Sequence, residues 1–338
     1  KSFYMKKLGL FFALMAIILL NTSCSNKQDE KFVFDGMVQG TYYHIIVYAQ
    51  SDEGLQKSFD SIFTLVDNSV SLWVENSLIN QVNRNENPKL NQVFIENFNA
   101  AKRLYALTEG ALDVTIGALV REYGFTTKQK TTLSQAQIDS MMRYVGLNKV
   151  GLQGDRIVKQ YNETFLDFNA IAQGYTTDKI AEELNKRNIK SYLVDVGGEV
   201  YAKGEKPNGE KWSVAIETPA QTKDAERSYD VAILLKDESI VTSGSYRKFY
   251  EENGVKYSHT IDPTTGKPIK HSLLSASVVA NDATTADGLA TMCMVLGLEK
   301  SKEFLEKHKE YSAYLIYSDD KGAMQVWYSD NFEKYIRK

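Results

Sequence analysis

A chain of 338 residues is long enough for one large domain or two modest ones, with ample core to fold without staples. Apolar residues at 43% and charged residues at 25% match an ordinary globular protein, and a net charge of -3 lacks the basic excess of a nucleic-acid binder. The 20 Tyr and 15 Phe read, as a group, as packing residues rather than a cofactor box.

The N-terminus carries the sharpest local signal. Lys6 and Lys7 form a positive n-region, residues 8–20 are apolar, and Asn21-Thr22-Ser23 precedes Cys24. This pattern predicts a signal peptide over residues 1–23, with Met5 as the expected start. The apolar run is shorter than the ~20 residues a spanning helix needs. Cys24 occupies the place of the acylated cysteine of a bacterial lipoprotein, although Asn21 stands where Leu is usual; a plain secreted protein with an incidental Cys is the plainer alternative. Residues 24–32 then read as a lipid-anchored tether and 33–338 as the working domain. The other cysteine, Cys293, lies in an apolar stretch and reads as a buried small hydrophobe, so acylation of Cys24 leaves no disulfide within the chain.

Alternation over 41–48 predicts a strand, and Leu55, Phe59, Ile62, Phe63 and Val66 fall at helical spacing. A second helix is predicted over 92–108 with Gly110 as its C-terminal cap, and a third over 178–188. Strands are predicted over 192–196, 212–216, 231–235 and 277–280, an apolar helix over 286–296 ended by Gly297, and closing strands over 313–317 and 325–328. Residues 126–140 and 218–229 read as polar, loop-rich insertions. Helices and strands mix without a regular βαβ alternation, which favours α+β over a doubly wound sheet.

Four segments can carry chemistry. Asp287 and Thr291 stand four apart at the start of a predicted helix, so their oxygens share one face. That pair suits a hard cation such as Mg²⁺, whose shell is completed by water and phosphate; equally, the Asp can complement the helix dipole while the Thr packs. The run Asp167-Phe168-Asn169-Ala170-Ile171-Ala172-Gln173-Gly174-Tyr175-Thr176-Thr177-Asp178 reads as a strand-to-helix turn whose small residues admit a ligand to the backbone, or as a tight turn alone. Gly197-Gly198 after a strand can offer amides to a phosphate or simply make the turn. His259, one of four histidines, precedes the turn-rich 262–268 and is a candidate proton shuttle, or a packing residue. There is no Cys/His cluster for zinc, no nucleophile elbow, no Walker loop and no dinucleotide fingerprint.

Taken together and in order, these pieces resemble the FAD:protein FMN transferases, the ApbE family. The matching segments are Met37-Val38-Gln39-Gly40-Thr41, Val70-Ser71-Leu72-Trp73, Gly110-Ala111-Leu112-Asp113-Val114-Thr115-Ile116-Gly117, residues 167–178, Val196-Gly197-Gly198, Thr242-Ser243-Gly244, residues 259–266 and residues 286–291, spread over about 33–335. The resemblance implies a single two-lobed, T-fold-related α+β domain with an FAD cleft between the lobes. It implies transfer of FMN from FAD, the substrate, to a Thr or Ser of an exported protein, with release of AMP and with Mg²⁺ as cofactor. By the same resemblance Asp287 and Thr291 bind the metal with side chains, and Ala170 and Ala290 with carbonyls. Met37, Trp73, Ala111, Leu112, Asp113, Asp167, Gln173 and Ile261 line FAD, and His259 is tied to catalysis. The family's acceptors are typically exported subunits of membrane redox complexes, and its members are extracytoplasmic and often lipoproteins.

The sequence departs from the family at Gln173, where many members carry Lys or Glu, at Thr264, where Arg is common, and at Ala290, which replaces an acidic residue of some members. The competing readings are a periplasmic FAD pyrophosphatase giving FMN and AMP, a non-catalytic flavin-binding lipoprotein, and, least favoured, a redox flavoprotein.

Overall fold

The computed structural model describes residues 29–124, 131–219, 228–244, 249–252, 255–258 and 260–337. The expected signal peptide, Cys24 and His259 lie outside the described residues. The chain opens with a hairpin of β1 (Glu30–Val38) and β2 (Thr41–Ala49), then runs through α1 (Leu55–Val70), α2 (Leu78–Asn83), α3 (Gln92–Leu107), α4 (Gly117–Glu122) and α5 (Gln135–Met142). The small hairpin β3 (Val150–Gln153) and β4 (Arg156–Lys159) leads to α6 (Ala172–Lys186), β5 (Ser191–Val196), β6 (Glu199–Lys203), β7 (Trp212–Glu217), β8 (Tyr229–Leu235) and β9 (Glu238–Gly244). Two further hairpins, β10 (Phe249–Glu252) with β11 (Val255–Ser258) and β12 (Ile261–Asp262) with β13 (Lys267–Pro268), precede β14 (Leu273–Ala280). The long α7 (Ala283–Lys307), β15 (Ser312–Ser318), β16 (Met324–Tyr328) and a 3₁₀ turn (Asp330–Tyr335) close the chain.

Eight strands form one antiparallel sheet in the order β1-β2-β5-β6-β9-β14-β15-β16. Period-two alternation sorts its two faces. Ile45 and Val47 of β2, with Tyr192, Val194 and Val196 of β5, pack on Phe59 and Phe63 of α1 and on Ile180 and Leu184 of α6. The intervening Ile46, Tyr48 and Leu193 turn to the other face, which the β7–β8 hairpin covers in part through Trp212, Ile216, Ile233 and Leu235. Each of the fully buried side chains among them, such as Ile45, Phe59 and Ile233, contributes about 1.5–3 kcal/mol relative to exposure. α7 is buried nearly all round in its first half, wedged between β9 and β14 on one side and α3 on the other. A smaller core of Leu119, Tyr123, Ile138, Val145 and Ile261 gathers α4, α5 and β12 into a second lobe.

The α+β class and most predicted elements are present, with three corrections. The third helix begins at Ala172, six residues before the expected Asp178. Its first turns hold Gly174, Thr176 and Thr177, weak helix formers that are buried together with Tyr175, so no polar face reveals the period. The last part of the expected loop 126–140 instead belongs to α5 (Gln135–Met142), behind a Ser134–Gln137 capping box. Finally, Gly297 breaks α7 without ending it: its backbone is non-helical (φ 75°), and the chain re-enters a helix to Lys307. His271 Nε2 lies 2.8 Å from the carbonyl of Met294 and donates to it, satisfying an oxygen near the break.

Candidate active site

One cleft of about 1350 Å³ runs between the two lobes and along the sheet face left bare by the β7–β8 hairpin. Two helices meet at its floor. Gly174 of α6 abuts the start of α7 so closely that a Cβ there would lie 2.4 Å from the carbonyl oxygen of Ala283 and 2.9 Å from Cβ of Asp287. This close approach lets the Gly174 amide donate to Asp287 Oδ2 at 3.1 Å. Asp287 is buried and its carboxyl is pushed well above the ordinary range, first by desolvation and then by the neighbouring Glu199. One turn later Thr291 also borders the cleft, as the four-residue spacing predicted, and Ser243 Oγ lies 3.4 Å from Thr291 Oγ1.

This donor set fits a magnesium ion. Asp287, the hydroxyl of Thr291 and the half-buried Ala170 all face the cleft and offer hard oxygen donors. A buried carboxylate beside a second acid carries repulsion that a divalent cation would offset. Among the described residues no group of three or more His, Cys, Asp or Glu could hold a metal. Ala290, one position before Thr291, is fully buried in the main core and is not among the residues lining the cleft.

The remaining expected residues fall on the cleft walls with one exception. Trp73, Ala111, Leu112, Asp113, Asp167, Gln173 and Ile261 all line it. Met37 does not; it is 78% exposed near the end of β1, while Gln39 and Gly40 of the following turn reach the cleft. Trp73, 69% exposed, is an open aromatic surface. Asp113 is instead committed internally, its Oδ1 accepting from the Thr115 amide at 2.8 Å and hydroxyl at 2.6 Å, and its Oδ2 from the Leu147 amide at 3.3 Å. Asp113 thus shapes the wall. Burial pushes the Asp167 carboxyl up to about 6, while its Oδ1 accepts from the Asn169 amide at 2.8 Å.

The glycine pair after β5 does not offer its amides to the cleft. The Gly197 amide donates to the Tyr42 carbonyl and the Gly198 amide to Asp195 Oδ1, each at 2.9 Å, so the pair makes the β5–β6 turn.

The sequence profile of the ApbE family matches residues 39–315. The chain belongs to the ApbE family. The FAD:protein FMN transferase of Haemophilus influenzae is 33% identical to it, over 94% of this chain and 95% of the relative. That of Vibrio cholerae is 32% identical, over 96% and 98%. Among solved structures, the flavinyl transferase ApbE of Pseudomonas stutzeri, in its apo form, superposes with a TM-score of 0.82 at 29% identity, over 91% of this chain and 97% of that one. The Vibrio cholerae flavin transferase ApbE superposes at 0.80 with 30% identity, over 91% and 99%. The α+β architecture described above is therefore the ApbE fold, and the chain is an enzyme of this flavin-transferase family.

Two further cleft residues, Asp67 and Asp195, carry no sequence signal of their own. Asp67, in α1, has its carboxyl raised by burial against a partial offset from Gln39. Gln39 in turn donates to Thr176 Oγ1 at 3.1 Å, tying the β1–β2 turn to α6. Asp195 accepts from Tyr42 Oη at 3.2 Å and lies opposite His44 in the strand register. Each comes to the cleft through strand pairing or helix packing, which no local pattern announces.

Proposed function

We propose that this enzyme splits the pyrophosphate of FAD and joins FMN to a Thr or Ser hydroxyl of an exported protein, releasing AMP. The observation that carries the reading is the convergence, in one cleft, of Asp287, Thr291 and Ala170 as hard oxygen donors with the open face of Trp73. Trp73 supplies a surface on which a flat ring system of FAD stacks. Asp287, Thr291 and the carbonyl of Ala170 hold Mg²⁺ at the floor. When bound, the ion neutralises the charge that builds on the pyrophosphate oxygens. His259 takes the proton of the acceptor hydroxyl, its oxygen bonds to the phosphorus of the FMN half, and the bond to the AMP oxygen breaks. The Gly174 amide fixes one oxygen of Asp287, which orients the carboxylate towards the cleft.

The N-terminal pattern supports an extracytoplasmic enzyme held to a bacterial membrane by a lipid on Cys24, acting on a subunit of a membrane redox complex. Membrane fractionation of wild type against Cys24→Ser checks the anchor: release of the variant is expected, and retention overturns it.

The test of the reaction is to incubate the mature protein with FAD, Mg²⁺ and exported candidate acceptor domains, and to weigh the acceptors. A gain of one FMN residue, lost in EDTA, is expected. FMN and AMP in solution with no gain on any acceptor would convert the reading to a pyrophosphatase.

A further inference from the structure

The cleft is larger than the 300–1,000 Å³ or so that a small-molecule site usually occupies, at about 1350 Å³. Its extra limb is built unlike the rest. Beyond Thr41 at its start, β2 lines the cleft with Tyr42, His44, Ile46 and Tyr48, every second residue, and so presents a sheet face. β7 lines it with every residue from Trp212 to Glu217, odd and even alike. A strand borders a cavity with consecutive residues only by turning its edge to it, because successive side chains point to opposite faces.

That edge is open among the described residues: β8 is the one strand paired with β7, and no backbone bond from Trp212–Ile216 goes elsewhere. The other side of the hairpin is covered, since Ile233 bridges to Ile336 and the Arg337 amide donates to the Ala232 carbonyl. Over Trp212–Ile216 the edge carries no Pro and no charged side chain, and its exposed positions are Ser213 and Ala215; the one irregularity lies at its end, between Ile216 and Glu217. The edge is continuous with the floor that holds Asp287 and Thr291, since one cavity contains both.

The geometry points to the β7 edge as the docking site of the acceptor protein, an extended segment of which adds to β7 as a third strand and brings its hydroxyl along the cleft to the reacting phosphorus. This rests on the transferase reading above, because only a protein acceptor calls for a polypeptide in the cleft. Backbone pairing supplies affinity, and alternate side chains of the added strand meet the partly buried Ile46 and Tyr48 of the sheet.

The experiment is residue-resolved amide hydrogen exchange on the full mature chain with FAD and Mg²⁺, with and without the acceptor domain that gains FMN in the mass assay. Alternate amides over 213–216 gain protection when the acceptor is added and not with FAD alone. The paired variants Val214→Pro and Ala215→Pro separate the two registers. The one that deletes an outward amide raises the acceptor KM about tenfold or more with the FAD Kd unaltered, while the other disrupts the hairpin. Protection by FAD alone gives the limb to the nucleotide and overturns the proposal. Protection that grows with enzyme concentration in the absence of acceptor assigns the edge to a second copy and also overturns it. A mass gain on the acceptor without protection of β7 refutes the docking site and leaves the transferase standing. No mass gain on any acceptor refutes the transferase reading, and the docking site with it.

Discussion

The carboxylate of Asp178, in α6, accepts both the amide of Thr284 at 2.8 Å and its hydroxyl at 2.5 Å, and takes the Ala283 amide at 2.7 Å as well. An acid on one helix thereby satisfies the first two orphan amides of another, 105 and 106 residues further along the chain. The arrangement fixes the start of α7, and with it the reach of Asp287 and Thr291 into the cleft. Desolvation pushes the Asp178 carboxyl up to about 6 despite these bonds.

Asp178→Ala is expected to lower stability by roughly 2–4 kcal/mol, because it strands buried donors and removes the charge facing the helix dipole. Thr284→Val, which removes one hydroxyl bond, is expected to cost about 1 kcal/mol. Urea unfolding curves measure both.

Gly174→Ala places a methyl group 2.4 Å from the Ala283 carbonyl oxygen, which is backbone and cannot swing aside. α6 and α7 must part, at a cost of about 1–3 kcal/mol. Because the Gly174 amide also holds Asp287, Mg²⁺ affinity should fall too, as titration calorimetry would report.

Asp287→Asn separates function from stability. The amide oxygen can still accept from Gly174, while the desolvated charge and its repulsion from Glu199 disappear. In EDTA the variant should match or exceed the wild-type urea midpoint. Transfer should be abolished, and Mg²⁺ should no longer raise the midpoint.

Trp73→Ala tests the aromatic wall. The residue is 69% exposed, so stability should change by no more than about 0.5 kcal/mol. FAD affinity should weaken about tenfold, measured by flavin fluorescence titration.

Glu96 gives a pH signature outside the cleft. Burial raises its carboxyl, but the hydrogen bond from Tyr175 Oη at 2.5 Å, a bond from Gln92 and the charge of Lys179 outweigh this and leave it lowered from 4.5. A lowered folded-state value means that its contribution is fully present above 4.5 and is lost as pH falls below it. Acid unfolding of Glu96→Gln should therefore lose its difference from wild type at the low-pH end, with the gap reopening above pH 4.5.

Much of this fold could be read locally because a single burial face drives many of its elements. The β-branched and aromatic run Ile45, Ile46, Val47 and Tyr48 marks a strand, and the spacing of Leu55, Phe59 and Phe63 encodes which face of α1 is buried. The start of α6 was illegible for the opposite reason: Gly174, Tyr175, Thr176 and Thr177 are all buried, and periodicity needs a polar face for contrast. Met37 matched by motif order, yet at the end of β1 it stands 78% exposed, away from the cleft lining.

The sequence by itself determined the α+β class, the order of the motifs and the four-residue spacing that puts Asp287 and Thr291 on one helical face. These are local properties, set by periods of two and 3.6 residues along the chain. Only the tertiary structure decided that the Gly197 and Gly198 amides are consumed by Tyr42 and Asp195, that Asp178 caps α7, and that β7 turns its edge into the cleft. Those outcomes depend on partners distant in the chain, and no local pattern specifies which distant group will arrive to satisfy a donor.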